Sequence, residues 1–188
     1  MNTPIPILFL DIDDVVCLNE KYGGYDVIEA VHDRHADAKS VFRDVFNPRA
    51  CEALRRVHDA MDGRLRYVIS STWREAFGRE HIARAFHEGR LGFVADGLHD
   101  VWCTPTASYR GIRVDDIAKW LDEWHAGEPF AIVDDTFSGP SLKPALTTAA
   151  HPFFGRVVLC QENVGLLSEH VEPLVEALKR PVIPVASR

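Results

Sequence analysis

Short, bulky apolar runs alternate along this chain with stretches whose apolar residues recur every three or four positions. Ile7 to Leu10, Tyr67 to Ile69, Phe130 to Val133 and Phe154 to Cys160 read as strands, because continuous apolar runs suit strands covered on both faces. After Asn47-Pro48, a capping residue and a first-turn proline, Cys51, Leu54, Val57 and Met61 trace one helix that Gly63 ends. Ile82, Ala83 and Phe86 mark a second helix between Gly78 and Gly89, and Val114, Ile117, Ala118, Leu121 and Trp124 a third, stopped by Gly127. Val171, Leu174, Val175 and Leu178 line a last helix, with Ser168 as its cap. Residues 17–46 show no clear period. There Tyr22-Gly23-Gly24-Tyr25 predicts a tight turn, hence a small hairpin flap followed by one short helix. Leu91 to Val94 reads as a short edge strand, and the segment from there to Tyr109 as loop.

Strands alternating with helices of about a dozen residues imply right-handed βαβ units. The expected fold is therefore α/β: a Rossmann-like three-layer sandwich with a central parallel sheet and a minimal cap or flap. Residues 1–180 form one domain in this reading, with 17–46 as the flap insertion and 181–188 as a tail.

Three of the strands stop at polar clusters: Asp11, Asp13 and Asp14 after the first, Ser70-Ser71-Thr72 after the second, Asp134-Asp135 after the third. In open parallel sheets ligands bind beyond the carboxyl ends of the strands, so these clusters can meet in one pocket. Period-two alternation puts Asp11 and Asp13 on the same side, with Ile12 pointing away. Carboxylates this close in a low dielectric repel unless a cation or a shared proton relieves them. A hard, oxygen-seeking ion such as Mg2+ suits such a donor set.

Composition narrows the class. With 188 residues, 46% hydrophobic and 26% charged, the chain fits one ordinary globular domain with a full core. The net charge of −7 opposes unspecific attraction to nucleic acid. Met1-Asn2-Thr3-Pro4 offers no basic residue ahead of the first apolar run, so neither a signal peptide nor a spanning helix is expected, and the expected compartment is the cytoplasm. Cys17, Cys51, Cys103 and Cys160 form no C-x-x-C pair and read as reduced thiols.

The order of motifs resembles the haloacid dehalogenase superfamily of phosphatases over nearly the whole chain. Asp11 and Asp13 match its first motif, D-x-D-x-[TV]; Ser71, with Ser70 as the alternative register, is similar to the second-motif hydroxyl; Asp134 and Asp135 match the acidic fourth motif. For the basic third motif Arg110 fits, with Lys119 as the alternative. Asp14 departs from the pattern, since many members have glycine there. The Ser-Ser-Thr-Trp-Arg block, Arg110-Gly111, Trp120-Leu121 and Gly165-Leu166 resemble a small-capped group that includes phosphatase domains of RNA-repair proteins.

The resemblance implies a phosphomonoester hydrolase. Asp11 would attack phosphorus and become an aspartyl phosphate, and Asp13 would serve as acid and then base. Ser70, Ser71, Thr72 and Arg110 would hold the phosphoryl group, while Asp11, Asp13, Asp134 and Asp135 would hold Mg2+. The alternative is a non-catalytic scaffold that binds a phosphorylated ligand. A phosphoacceptor receiver domain would need its acceptor Asp at a later strand end, where this chain has Ser70-Ser71.

The intervals available for a cap, 16–47 and 73–109, carry too little apolar patterning for an independent core. An open mouth suits a phosphate at the end of a large substrate such as a nucleic acid, unless a second copy supplies the lid in a homodimer. Arg64, Arg66, Arg74, Arg79, Arg84 and Arg90 are the residues expected to make its rim basic.

Overall fold

In the computed structural model, residues 4–106 and 112–182 are described. The elements in chain order are β1 (Ile7–Leu10), α1 (Gly24–Val31), α2 (Ala38–Asp44), α3 (Pro48–Asp59), β2 (Arg66–Ile69), α4 (Trp73–Ala76), α5 (Arg79–Glu88), α6 (Gly92–Asp96), β3 (Leu98–Cys103), α7 (Arg113–Trp124), β4 (Phe130–Asp135), α8 (Pro144–Thr147), β5 (Val157–Cys160) and α9 (Val171–Lys179). The strands form one parallel sheet in the order β3-β2-β1-β4-β5. β1 is central, and the strand order reverses around it.

Alternation along the strands sorts their side chains into two cores. Leu8, Leu10, Tyr67, Ile69, Ala131 and Val133 join the larger core beneath α1, α2, α3, α5, α6 and α9. Ile7, Phe9, Val68, Phe130 and Ile132 face the opposite side and meet Ile117 and Trp120 of α7 and Ala145 of α8. Phe9 and Trp120 pack edge to face at 5.3 Å, and the Trp120 indole donates to the Val101 carbonyl at 3.1 Å. Fully burying one such aromatic side chain is worth about 1.5–3 kcal/mol.

Helix α3 starts as its sequence predicts: the Asn47 side chain accepts from the amides of Arg49 and Ala50, and Pro48 opens the first turn. The flap differs. Instead of a hairpin, Gly23 is an extended cap for α1, and the Asp26 carboxylate accepts its amide at 2.9 Å. The glycine pair thus starts a helix rather than a turn. Helices α1 and α2 pack on each other and on α5, and Val27, Ala30, Val41, Phe42, Ile82 and Phe86 are continuous with the larger core.

Two further expectations are corrected. Residues 91–94 are not an edge strand; α6 runs through them, and the edge strand is β3, inside the stretch expected to be loop. An edge strand is half exposed, so β3 lacks an apolar run, and a bulge interrupts its pairing with β2. Ser168 does not cap α9; it opens a 3-10 turn, and the His170 ring accepts the Leu167 amide there at 3.0 Å. At the far end, the Arg156 guanidinium bonds the carbonyls of Arg180 and Pro181, and Val182 packs on the smaller core. No helix among the described residues is long and apolar enough to cross a membrane.

Candidate active site

Parity places the acids. Along β1 the odd residues face α7, and Asp11 continues that side; along β4 the even residues do, and Asp134 continues it. Both carboxylates therefore point toward the start of α7, where Arg113 is the first helical residue. Its Nη2 lies 3.3 Å from Asp11 Oδ1 and its Nε 2.6 Å from Asp134 Oδ2, the latter an ion pair without an aligned N–H. All three side chains are buried.

Asp135, also buried, turns one oxygen to its own loop: Oδ1 accepts from the amides of Phe137 at 2.5 Å and Ser138 at 2.8 Å. Asp11, Asp134 and Asp135 each bring an oxygen within 4.8 Å of the others. The Ser138 hydroxyl touches all three, at 3.1 Å from Asp11 and from Asp134 and in direct contact with Asp135.

Burial is the main influence that drives the Asp11 carboxyl well above 3.8, and the neighbouring Asp134 adds to it, while Arg113 and Ser71 work the other way. Burial likewise raises Asp134 against the pull of Arg113. For Arg113 burial disfavours the charge, but Asp134 and Asp11 more than offset it and hold the guanidinium protonated. Three carboxylates against one guanidinium leave formal charge uncompensated when all are ionised. That deficit, and a donor set made wholly of hard oxygens, fit a divalent cation such as Mg2+.

Asp13 stands at the mouth, half-buried. Its Oδ2 accepts the Trp73 indole N–H at 3.0 Å. Burial raises its carboxyl above 3.8 and the indole partly counters the rise. Asp14, at the position where glycine is usual, has φ +55°, a left-handed backbone that Asp tolerates better than most residues. Its carboxylate accepts the Asn163 amide at 2.8 Å, and nearby Leu166 donates to the Val15 carbonyl at 2.9 Å. Gly165, at φ +77°, is needed there: a Cβ would stand 2.9 Å from the Val15 carbonyl oxygen. The loop after β5 thus clamps the turn that carries the acids.

Ser71 is fully buried at the end of β2, and its hydroxyl accepts the Trp73 amide at 3.5 Å. Ser70 is equally buried, and its hydroxyl has no hydrogen-bond partner among the described residues. Thr72 is exposed. Arg74 donates to the Ser71 carbonyl and pairs with the fully buried Asp116 at 2.8 Å, which ties the serine turn to α7.

Of the two residues expected for the third motif, Arg110 lies outside the described residues. Lys119 is not at the acids: it sits on the exposed side of α7, 3.9 Å from Glu123. Arg113 takes the place beside Asp11. The inward stripe of α7 is Arg113, Asp116, Ile117 and Trp120, whereas Ala118 and Trp124 face out. Two charged residues on the buried face hid that stripe from hydropathy. Its spacing of i, i+3, i+4 and i+7 was the available signal.

Several of the arginines expected at a basic rim are tied to backbone carbonyls or to acids. Arg79 bonds the carbonyls of Leu98, His99 and Asp100; Arg84 engages Val31, Asp33 and Glu88; Arg90 donates to the Arg43 carbonyl. Arg74 is buried, and Arg66 opens β2 at the amino end of the sheet, two residues after Arg64 and away from the acids.

Among known proteins, no curated protein and no solved structure matches the chain. A family model does, over residues 7–171, from the first residue of β1 to the first of α9. With five parallel strands bringing the acids, serines and arginine to one end, the chain belongs to the family described as the HAD domain in Swiss Army Knife RNA repair proteins.

Proposed function

We propose that the chain is a Mg2+-dependent phosphohydrolase that cleaves a phosphomonoester through an aspartyl phosphate on Asp11. The observation that carries this reading is the buried group of Asp11, Asp134, Asp135 and Arg113, with Asp13 beside it at the open edge. Such acids are costly to bury together, and holding a cation against an incoming phosphoryl group is a use for them.

An oxygen of Asp11 attacks phosphorus as the bond to the leaving oxygen breaks, and Asp13, whose raised pKa favours the protonated form, gives that oxygen its proton. Asp13, now ionised, takes a proton from water; the hydroxyl oxygen bonds to phosphorus, the acyl-phosphate bond breaks, and Asp11 and inorganic phosphate are released. Arg113 holds Asp11 in place and offsets charge, and Ser71 with the following amides holds a phosphoryl oxygen. Asp11, Asp134, Asp135 and the Asp13 carbonyl would hold Mg2+, which would supply positive charge to the phosphoryl oxygens.

The substrate in this reading is the phosphorylated end of a nucleic acid. The family's description names RNA repair. Tyr25 and Phe137 are each 74% exposed, and both belong to segments that touch the site. Gly24, beside Tyr25, lies against the Trp73 indole that bonds Asp13, and the Phe137 amide bonds Asp135. Exposed aromatics so placed offer stacking to terminal bases. The four free cysteines suit a reducing compartment such as the cytoplasm; burial pushes Cys17 and Cys51 up to about 12.

The deciding experiment is hydrolysis of an aryl phosphate with Mg2+ and with EDTA, followed by a terminally phosphorylated oligonucleotide, its mononucleotide and a sugar phosphate. Mg2+-dependent turnover with highest kcat/KM on the oligonucleotide is expected. Binding without turnover identifies a scaffold, and preference for the sugar phosphate a metabolic phosphatase.

A further inference from the structure

With Asp11, Asp134 and Asp135 all ionised, hydrogen bonding alone does not satisfy the surroundings of the Ser138 hydroxyl. Its Oγ contacts one oxygen from each of three carboxylates, Asp11, Asp134 and Asp135. A hydroxyl has one proton to donate and otherwise presents lone pairs. Within the acid cluster it can therefore satisfy one carboxylate oxygen while opposing lone pairs to the others. A hard cation among the same atoms changes the sign of those contacts, because all four oxygens then serve as donors.

The position is built into the loop. Asp135 Oδ1 accepts the amides of residues 137 and 138, and the Gly139 amide bonds the Asp135 carbonyl at 3.1 Å, so the chain doubles back on the acids. A Cβ at Gly139 would stand 2.8 Å from that carbonyl oxygen and 3.0 Å from Asp134 Oδ1; glycine lets the loop fold this closely. The result turns the Ser138 hydroxyl onto the acids, although Ser138, like its neighbour Phe137, is an exposed residue.

We propose that Ser138 Oγ is a fourth side-chain oxygen of the cation site, so that three carboxylates and one neutral hydroxyl set its affinity and its preference for hard ions. This rests on the cation reading given above. Ser138 binds the ion and has no proton-transfer role.

The test uses the full chain without substrate. Mg2+ affinity is measured by calorimetry for wild type, Ser138→Ala and Ser138→Thr, with circular dichroism in EDTA to confirm that each is folded. Ser138→Ala is expected to bind Mg2+ at least ~10-fold more weakly, and Ser138→Thr, which keeps the hydroxyl, close to wild type. In Ser138→Cys the donor becomes soft, so Cd2+ should bind more tightly than to wild type and give a thiolate-to-cadmium absorption beyond any from the native cysteines. Mg2+ binding by Ser138→Ala equal to wild type, or Cd2+ binding by Ser138→Cys without new absorption, overturns the assignment of Ser138 alone. If wild type binds no Mg2+, the cation reading falls and takes this assignment with it.

Discussion

Arg113 Nε lies 2.6 Å from Asp134 Oδ2, and the same guanidinium reaches Asp11, so the start of one helix neutralises acids from two adjacent strand ends. Removing one partner of a buried ion pair leaves an uncompensated charge. Arg113→Ala should cost about 3–5 kcal/mol in denaturant unfolding at pH 8 in EDTA, less at pH 5 where the acids take up protons. Arg113→Lys should cost less, and Lys119→Ala, on the exposed side of α7, should be silent.

Asp11→Asn should abolish both turnover and trapping of phosphoenzyme, because an amide cannot become an acyl phosphate. Asp13→Asn should keep the fold and slow turnover at least ~100-fold by removing the proton donor. Turnover retained by purified Asp11→Asn sinks the mechanism.

In EDTA, stability should fall as pH rises above 3.8. Asp11, Asp13 and Asp134 hold their protons more tightly in the folded chain than in the unfolded one, so unfolding releases protons and gains as pH increases through their folded pKa values. Asp37 and Asp44, away from the acid cluster, have lowered pKa values and act below 3.8, where their contribution is lost on acidification. Burial lowers His58 and His170, whose contribution grows as pH rises toward 6.5. The share of the acids is therefore read as the difference in melting temperature between wild type and Asp11→Asn from pH 4 to pH 9; a difference that does not change with pH contradicts this expectation.

Mg2+ should raise the melting temperature and flatten the same pH dependence, since a bound cation stabilises the ionised acids. Asp135→Ala should remove most of the Mg2+ response. Identical curves in Mg2+ and EDTA count against a metal site.

Trp73→Phe keeps the packing of Trp73 against Phe46 and Phe77 but deletes the N–H that bonds Asp13. That bond favours the ionised carboxylate, so its loss should raise the Asp13 pKa further. The limb of the kcat profile that reports Asp13 should move to higher pH. An unmoved profile shows that the indole does not influence the acid.

The chain by itself determined the α/β order, the strands ending in acids and serines, and the capped start of α3. Each of these is local: an apolar run followed by Asp11, or Asn47 ahead of Pro48, carries its structural consequence within a few residues. What only the tertiary structure decided is which distant groups meet. Arg113, rather than Lys119, meets Asp11 because α7 begins one residue after Ile112 and turns its charged stripe of Arg113 and Asp116 toward the sheet. Gly23-Gly24 starts a helix because Asp26 caps it and α5 covers it, and residues 98–103 become a strand because β2 presents a free edge to pair with. Ser138 joins the acids through the fold of one loop over Gly139. Such contacts depend on where a helix starts, how it is rotated and what lies across from it, and these are settled by packing between segments far apart in sequence.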